Sequence, residues 1–364
     1  MKSDTSDHLY SGFKKITIRE IAKLAGVSVS TVSLVLNRKS HVLPATRKRI
    51  ERIIKRYDYH PSSTAKNLAR CSTTTLGMIV SSSHFTSEEQ FYSRIFISAV
   101  IQAEKSNHYL LLALPDIGAE HGDSSHYLPR FLNEKSVDGI IMMGDCPDHY
   151  LEILQQKRLP LVLVDYYSSK FSLPCIINDN YHGGYIATRH LIRLGHSQPA
   201  FIGSMIRHPS IRDRYKGYLD AIREQGNQPI EQQIYLDPGY DSYAFGYQAG
   251  QWMASSPHPP DAVFSANDSM AIGCINALQE SRLRVPEDIA VVGFDDIDAS
   301  SQIDPKLTTI RVNKERMGEL AVQKLVELIS QKNQASEKIT LPVELIIRNS
   351  CGCQASIRET IRLS

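Results

Sequence analysis

What the chain lacks narrows its class first. No apolar run in its 364 residues approaches the roughly 20 that a helix needs to cross a bilayer, so a membrane-spanning protein is not expected. The first 14 residues are polar, without the hydrophobic region of a secretory leader; they read as a disordered tail, and the protein as cytoplasmic. The six cysteines, at 71, 146, 175, 274, 351 and 353, are scattered. Only Cys351-Gly-Cys353 is a close pair, and it has neither a second pair nor histidines at zinc spacing, so reduced thiols and no metal are expected. No glycine-rich phosphate loop follows the first strand and no GxSxG nucleophile elbow occurs. His182, His190 and His196 lack a nucleophile or a metal-ligand partner and read as helix-surface or capping groups. Neither an enzyme nor a cofactor is expected.

Charge is abundant but unevenly placed. Residues 15–70 carry 13 Lys or Arg against Glu20, Glu51 and Asp58, a net +10, while the whole chain is only +2. Residues 1–14 sum to zero, which leaves about −8 for residues 71–364. A basic head on an acidic body suits phosphate binding, where each neutralised phosphate releases counterions.

Within that head, Thr17–Asn37 reads TIREIAKLAGVSVSTVSLVLN. Thr17 with Glu20 three residues on is a capping box. Ile21, Ala22, Leu24 and Ala25 form the apolar face of a first helix, Gly26 supplies a left-handed stop, and Ser28 caps a second helix. Val32, Val35 and Leu36 face inward, leaving Val29, Ser30, Ser33, Leu34 and Asn37 outward. Small, mostly uncharged side chains on the outer face of a capped second helix fit a helix-turn-helix recognition helix better than a generic helical hairpin. Ile50, Ile53, Ile54 and Tyr57 predict a third helix closing a three-helix core. Pro61 breaks that helix, and Ser62 or Ser63 can cap a following segment that ends near Arg70. At about eight residues it is too short to be helical alone in water, which suits a conditional switch better than a plain linker.

From Thr74 the pattern alternates strand and helix. Strands are expected at 75–80, 109–115, 137–144 and 159–165, then again at 199–204, near 233–236, at 262–268 and at 289–296. Continuous apolar strands of this kind belong to parallel sheets covered on both faces. Two serial sets predict two doubly wound lobes with a cleft at the carboxyl ends of the strands. There stand Asp165, Asn267-Asp268 and Asp295-Asp296, with Arg214 early on the helix near Ser210, beside Phe91, Tyr92, Tyr166, Tyr167 and Tyr240. Carboxylates, an amide and a guanidinium can engage vicinal hydroxyls, and aromatic faces cover a sugar ring.

These motifs, together with ATRHLIRLGH (187–196), RDRYKGY (212–218), SANDSMAIG (265–273), RVPEDIAVVGFDD (284–296), LTTIR (307–311) and IIRNSCG (346–352), resemble the LacI/GalR family of transcription regulators over about residues 16–352. The resemblance implies an N-terminal all-α helix-turn-helix DNA-binding domain at 15–60 and a hinge helix or linker at 61–71. It also implies an α/β two-lobed periplasmic-binding-protein-like core, with two doubly wound parallel sheets, at 72–352. The first lobe would take about 72–177 and 312–340, the second about 178–311 and 341–352, with 353–364 as a tail. The effector positions carry over as Phe91, Tyr92, Asp165, Arg214, Tyr240, Asn267 and Asp295. The family's Asn-Pro before the aromatic pair is here Glu89-Gln90, and the loop around Tyr240 is one residue longer than usual.

DNA contacts carry over as Thr17, Ser28, Val29, Ser30, Thr31, Ser33, Leu34, Asn37, Tyr59, Ser62, Lys66 and Leu68. Val29, Ser30 and Leu34 hold the base-reading positions, and Leu68 matches the hinge leucine that wedges into the minor groove. Leu34 replaces a common Arg, so the bidentate reading of guanine is lost and an apolar contact takes its place. Implied partners are palindromic double-stranded operator DNA, a second copy of the chain and a small effector, most simply a sugar. A purine or nucleoside effector is the alternative; a transport-type binding protein would need an export signal. The last dozen residues show no heptads, which favours a dimer over a coiled-coil tetramer.

Overall fold

Three helices, α1 (Ile18–Ala25), α2 (Val29–Leu36) and α3 (Pro44–Arg56), build the N-terminal unit. The computed structural model describes residues 16–37, 41–59, 73–82, 90–115, 128–204, 208–237, 242–331 and 336–353. The chain divides into two units, Met1–Thr73 and Thr74–Ser364. The tails, the hinge residues Ser62, Lys66 and Leu68, and Tyr240 lie outside the described residues.

The capping box is formed as the sequence predicts: Thr17 Oγ1 accepts from Glu20 N at 3.3 Å, and Thr17 N donates to Glu20 Oε2 at 2.7 Å. Gly26 takes the left-handed conformation, φ 60°, that lets the chain turn immediately into α2. Ser28 Oγ accepts from Thr31 N at 3.1 Å and starts that helix. Ile21, Ala22, Ala25, Val32, Val35 and Ile50 make the buried core. Two expected core residues are instead exposed. Leu24 lies to one side of the stripe set by Ile21, Ala22 and Ala25 and is 51% exposed, and Tyr57 stands past the last turn of α3 at 44%. Tyr59 packs against the core in its place.

In the second unit, β1 (Thr75–Val80), α4 (Gln90–Lys105), β2 (Tyr109–Ala113), α5 (Arg130–Asn133), β3 (Gly139–Met143), α6 (Asp148–Gln156), β4 (Leu161–Val164) and β5 (Cys175–Asn178) form most of a first lobe. The second lobe follows with α7 (Asn180–Arg193), β6 (Ala200–Ser204), α8 (Pro209–Arg223), β7 (Ile234–Asp237), α9 (Ser242–Ser255), β8 (Ala262–Ser265), α10 (Asp268–Glu280), β9 (Ala290–Asp295) and β10 (Thr308–Arg311). The chain then returns: α11 (Lys314–Gln331) packs on α4, β3 and β4, and β11 (Lys338–Leu341) joins the first sheet. Two residues later β12 (Glu344–Ile346) joins the second.

The sheets run β11-β5-β4-β3-β1-β2 and β12-β10-β9-β8-β6-β7. Strands β3, β4, β8 and β9 are buried throughout, which is why these segments read as apolar runs; β5, equally buried, is not among the expected strands. The first sheet is parallel throughout; the second departs from the expectation at one edge, where β12 runs antiparallel to β10. His190 also departs from its reading as a surface or capping group. It is buried in α7 with Nε2 3.3 Å from Cys351 Sγ, and burial lowers its pKa to about 4.

Candidate functional site

On the N-terminal unit, α2 presents Val29, Ser30 and Asn37 as exposed residues, with Thr31, Ser33 and Leu34 partly exposed. Thr17 and Ser28 are engaged as helix caps. Asn37 Nδ2 donates to Ser33 O at 2.9 Å and closes the last turn of α2. The outer face of α2 therefore offers two apolar side chains, Val29 and Leu34, between short hydroxyls.

In the second unit the strand ends bring part of the expected set together. Asp165 follows β4 with φ 57°, a left-handed backbone that turns its carboxylate back over the sheet end. Its Oδ2 accepts from Tyr92 Oη at 3.0 Å and its Oδ1 from Ser210 Oγ at 3.0 Å, so residues of α4 and α8, from opposite lobes, meet on one carboxylate. His208 Nε2 lies 3.7 Å from the same Oδ2. Phe91 packs edge to face on Tyr92, ring centroids 4.9 Å apart.

Arg214 is the centre of the second cluster. Its Nε donates to Asn180 Oδ1 at 2.9 Å, one Nη donates to the carbonyl of Ala266, and the other lies 3.1 Å from Asp295 Oδ1. The guanidinium also sits 3.6 Å from the centroid of the Phe294 ring. Asp295, φ 108°, ends β9 as Asp165 ends β4. Burial raises its carboxyl to about 6, opposed by Arg214 and Lys314 and helped by the charge of Asp165. At the crevice rim, Tyr167 Oη donates to Asp213 Oδ2 at 2.8 Å, and Arg94 pairs with Asp298 across the lobes.

Two expectations change. Asn267 does not join the cluster: it is the N-cap of α10, with Oδ1 accepting from Met270 N at 2.8 Å and Nδ2 donating to Ser242 Oγ at 3.1 Å. Asp268 turns away from the crevice altogether. Fully buried, it accepts from Thr309 Oγ1 at 2.6 Å, Ser300 Oγ at 2.7 Å and Ile297 N at 2.9 Å, and ties the loop after β9 to α10. Of the strand-end acids, Asp165 and Asp295 therefore meet the crevice cluster and Asp268 does not. Ser210, Asn180 and His208 are the residues that sequence reasoning missed; a polar cluster at the start of the α8 segment was the available signal for Ser210 and His208.

Asp268 makes stability depend on pH. Burial, then the neighbouring charge of Asp295, raise its carboxyl to about 7, well above an unfolded aspartate. A raised carboxyl favours the fold when protonated, so its contribution is present at low pH and lost as pH rises through about 7. Buried His190, held neutral, acts in the opposite sense but only below the ordinary histidine range near 6.5. Between about pH 4.5 and 7 the melting temperature of the wild type should fall relative to that of Asp268→Asn. Parallel slopes for the two proteins in differential scanning calorimetry would refute the assignment.

A recognition helix on a basic three-helix unit, followed by two α/β lobes that share a polar crevice, defines a DNA-binding transcriptional regulator under the control of a small effector. It is a regulator rather than an enzyme. A model for bacterial regulatory proteins of the lacI family matches residues 17–62, and one for a periplasmic binding protein-like domain matches residues 188–351. The "HTH-type transcriptional repressor PurR" of Mannheimia succiniciproducens is 32% identical over 340 residues, covering 92% of this chain and 98% of that protein. The Lac repressor dimer bound to operator and the anti-inducer ONPF superposes with a TM-score of 0.80 at 28% identity, over 93% of this chain and 99% of that one. A transcriptional regulator CelR-cellobiose complex gives 0.69 at 28% identity, over 92% and 99%. The chain belongs to the LacI family. Operator DNA, a small-molecule effector and a second copy are the partners of that class, and among the described residues no helix is long and apolar enough to cross a membrane.

Proposed function

We propose that a sugar bound between the two lobes sets the affinity of this regulator for a palindromic operator in the cytoplasm. The observation that carries the reading is the pair of acidic strand ends, Asp165 and Asp295, facing Arg214 and the Phe91–Tyr92 pair. Carboxylates and a guanidinium held this rigidly can take vicinal hydroxyls in bidentate fashion, while the rings cover an apolar sugar face. The cellobiose named for one structural neighbour agrees with this chemistry. Tyr240 completes the proposed contacts. On DNA, Val29, Ser30 and Leu34 read bases in the major groove, with Val29 and Leu34 meeting thymine methyls, and Leu68 wedges into the minor groove. Thr17, Ser28, Thr31, Ser33, Asn37, Tyr59, Ser62 and Lys66 position the head on the duplex. Effector binding changes the angle between the lobes, and with it the spacing of two hinge segments in a dimer. The change needs an effector preference between the two arrangements of about 1–3 kcal/mol.

The test is a thermal-shift and calorimetric titration of the purified chain with neutral mono- and disaccharides, hexuronates, sugar phosphates, purine bases and nucleosides. A sugar is expected to stabilise the fold, by about 2.7 kcal/mol at a hundred times its Kd. Stabilisation by purines or nucleosides alone would reject the sugar. This alternative draws its support from the PurR relatives and would use the same crevice.

A further inference from the structure

The corner that presents Asp295 is strained and does not hold itself. Asp295 and Asp296 both have left-handed backbones, φ 108° and 52°. Residues larger than glycine keep such conformations only where the surroundings over-determine them. Second-lobe contacts hold the Asp296 carboxylate and the following loop, and the constraint on the two backbone carbonyls comes from the other lobe. Lys314, the first residue of α11, is buried, and its Nζ donates to the carbonyl oxygens of both Asp295 and Asp296, the second at 3.0 Å. Its base is fixed one turn later at Gly318, where an added Cβ would lie 2.3 Å from the carbonyl oxygen of Ile95 on α4. A cation at the first position of an 18-residue helix is out of water and against the positive end of the helix dipole, both unfavourable. Nor is it needed to neutralise Asp296, whose carboxylate is already met by Arg311 at 2.7 Å and Arg348 at 2.5 Å. A residue placed against its local preferences, and redundant for the nearest paired acid, acts on the corner itself.

We propose that Lys314 is a positioning residue of the crevice: reaching out of the first lobe, its ammonium clasps the two left-handed carbonyls that end β9 and so fixes the Asp295 carboxylate against Arg214. The clasp makes the geometry of a second-lobe contact depend on where the first lobe's helix stands. The charged groups that face Asp295 are Arg214 from α8, Lys314 from α11, Asp165 from the turn after β4 and Asp268 from α10. Two cations therefore oppose burial and the like charge of Asp165, and removing one shifts Asp295 toward its protonated form.

The experiment follows the carboxyl carbon of Asp295 by NMR through a pH titration of the full chain, its resonance assigned by its loss in Asp295→Asn. Lys314→Met and Lys314→Gln are expected to raise the midpoint by about one pH unit or more, and Lys314→Arg to keep the wild-type value. Gln keeps a donor toward the carbonyls but no charge, so it serves if the Met variant does not fold, and a raised midpoint in it shows that the ammonium acts on Asp295. Unmoved midpoints in Met or Gln, or an Arg variant displaced as far as Met, would overturn the proposal. Its meaning for regulation rests on the crevice being the effector site, but its test needs no ligand. A shifted midpoint with no sugar or purine bound in the titration above would sink the functional reading and leave the clasp standing.

Discussion

With alanine at position 214, the regulator should still bind operator but no longer answer to effector. Arg214 touches four groups at once: the Asn180 amide, the Ala266 carbonyl, the Asp295 carboxylate and the Phe294 ring. Removing one member of a buried ion pair typically costs about 3–5 kcal/mol, because the other charge is left without its partner. If that loss falls on the effector-bound state, affinity should drop by more than about a hundredfold. The head keeps its own core of Ile21, Val32, Val35 and Ile50, so operator binding should persist. Gel-shift titrations with the sugar identified by the calorimetric screen decide the matter, and an unchanged effector midpoint would remove Arg214 from the site. Arg214→Lys guards against a folding artefact: it keeps the charge and loses the planar fork that reaches several acceptors together, so it should fold and still respond weakly.

The second large effect is expected from a methyl group. Helices α7 and α8 cross at two glycines: a Cβ on Gly184 would lie 2.1 Å from the Arg214 carbonyl oxygen, and one on Gly217 would lie 2.1 Å from that of Tyr181. Both obstacles are backbone, which no side-chain rotation relieves. Gly184→Ala gains about 1 kcal/mol of helix propensity but must push the helices apart, an overpacking penalty of about 3 kcal/mol or more. A clear fall in melting temperature is expected. Effector response should weaken with it, because the clash falls on the residue that carries the guanidinium. Wild-type melting in Gly184→Ala would show that the crossing is looser than it looks.

How far these sites could be read before the fold was known depends on how local their causes are. The capping box, the Gly26 stop and the Ser28 cap are set by residues three or four apart, and the head follows from them. The long apolar strands announce a parallel sheet because burial on both faces removes any alternation. Strands β5, β10, β11 and β12 escape such a reading because each is short and carries a polar or charged residue that interrupts the apolar run. The acids were legible as strand ends but not as directions. Asp268 and Asp295 look alike in sequence, and what turns the first inward is Thr309 and Ser300, some 41 and 32 positions away. Lys314 was invisible for the same reason, since nothing near it in the chain mentions the corner it holds. Tyr57 and Leu24 failed on a simpler ground: a residue at the margin of an apolar stripe is covered only if a neighbour reaches it.

The chain passes between the lobes three times, and the last pass comes within two residues of β11. During synthesis the DNA-binding head emerges complete long before Lys338–Leu341 arrives to seal the edge of β5. Until then the nascent protein can grip nucleic acid while its sensing half still has an open sheet border, a surface that recruits strand partners indiscriminately. A chain cut before Lys338 should therefore aggregate through that open border, where one that retains the strand should not.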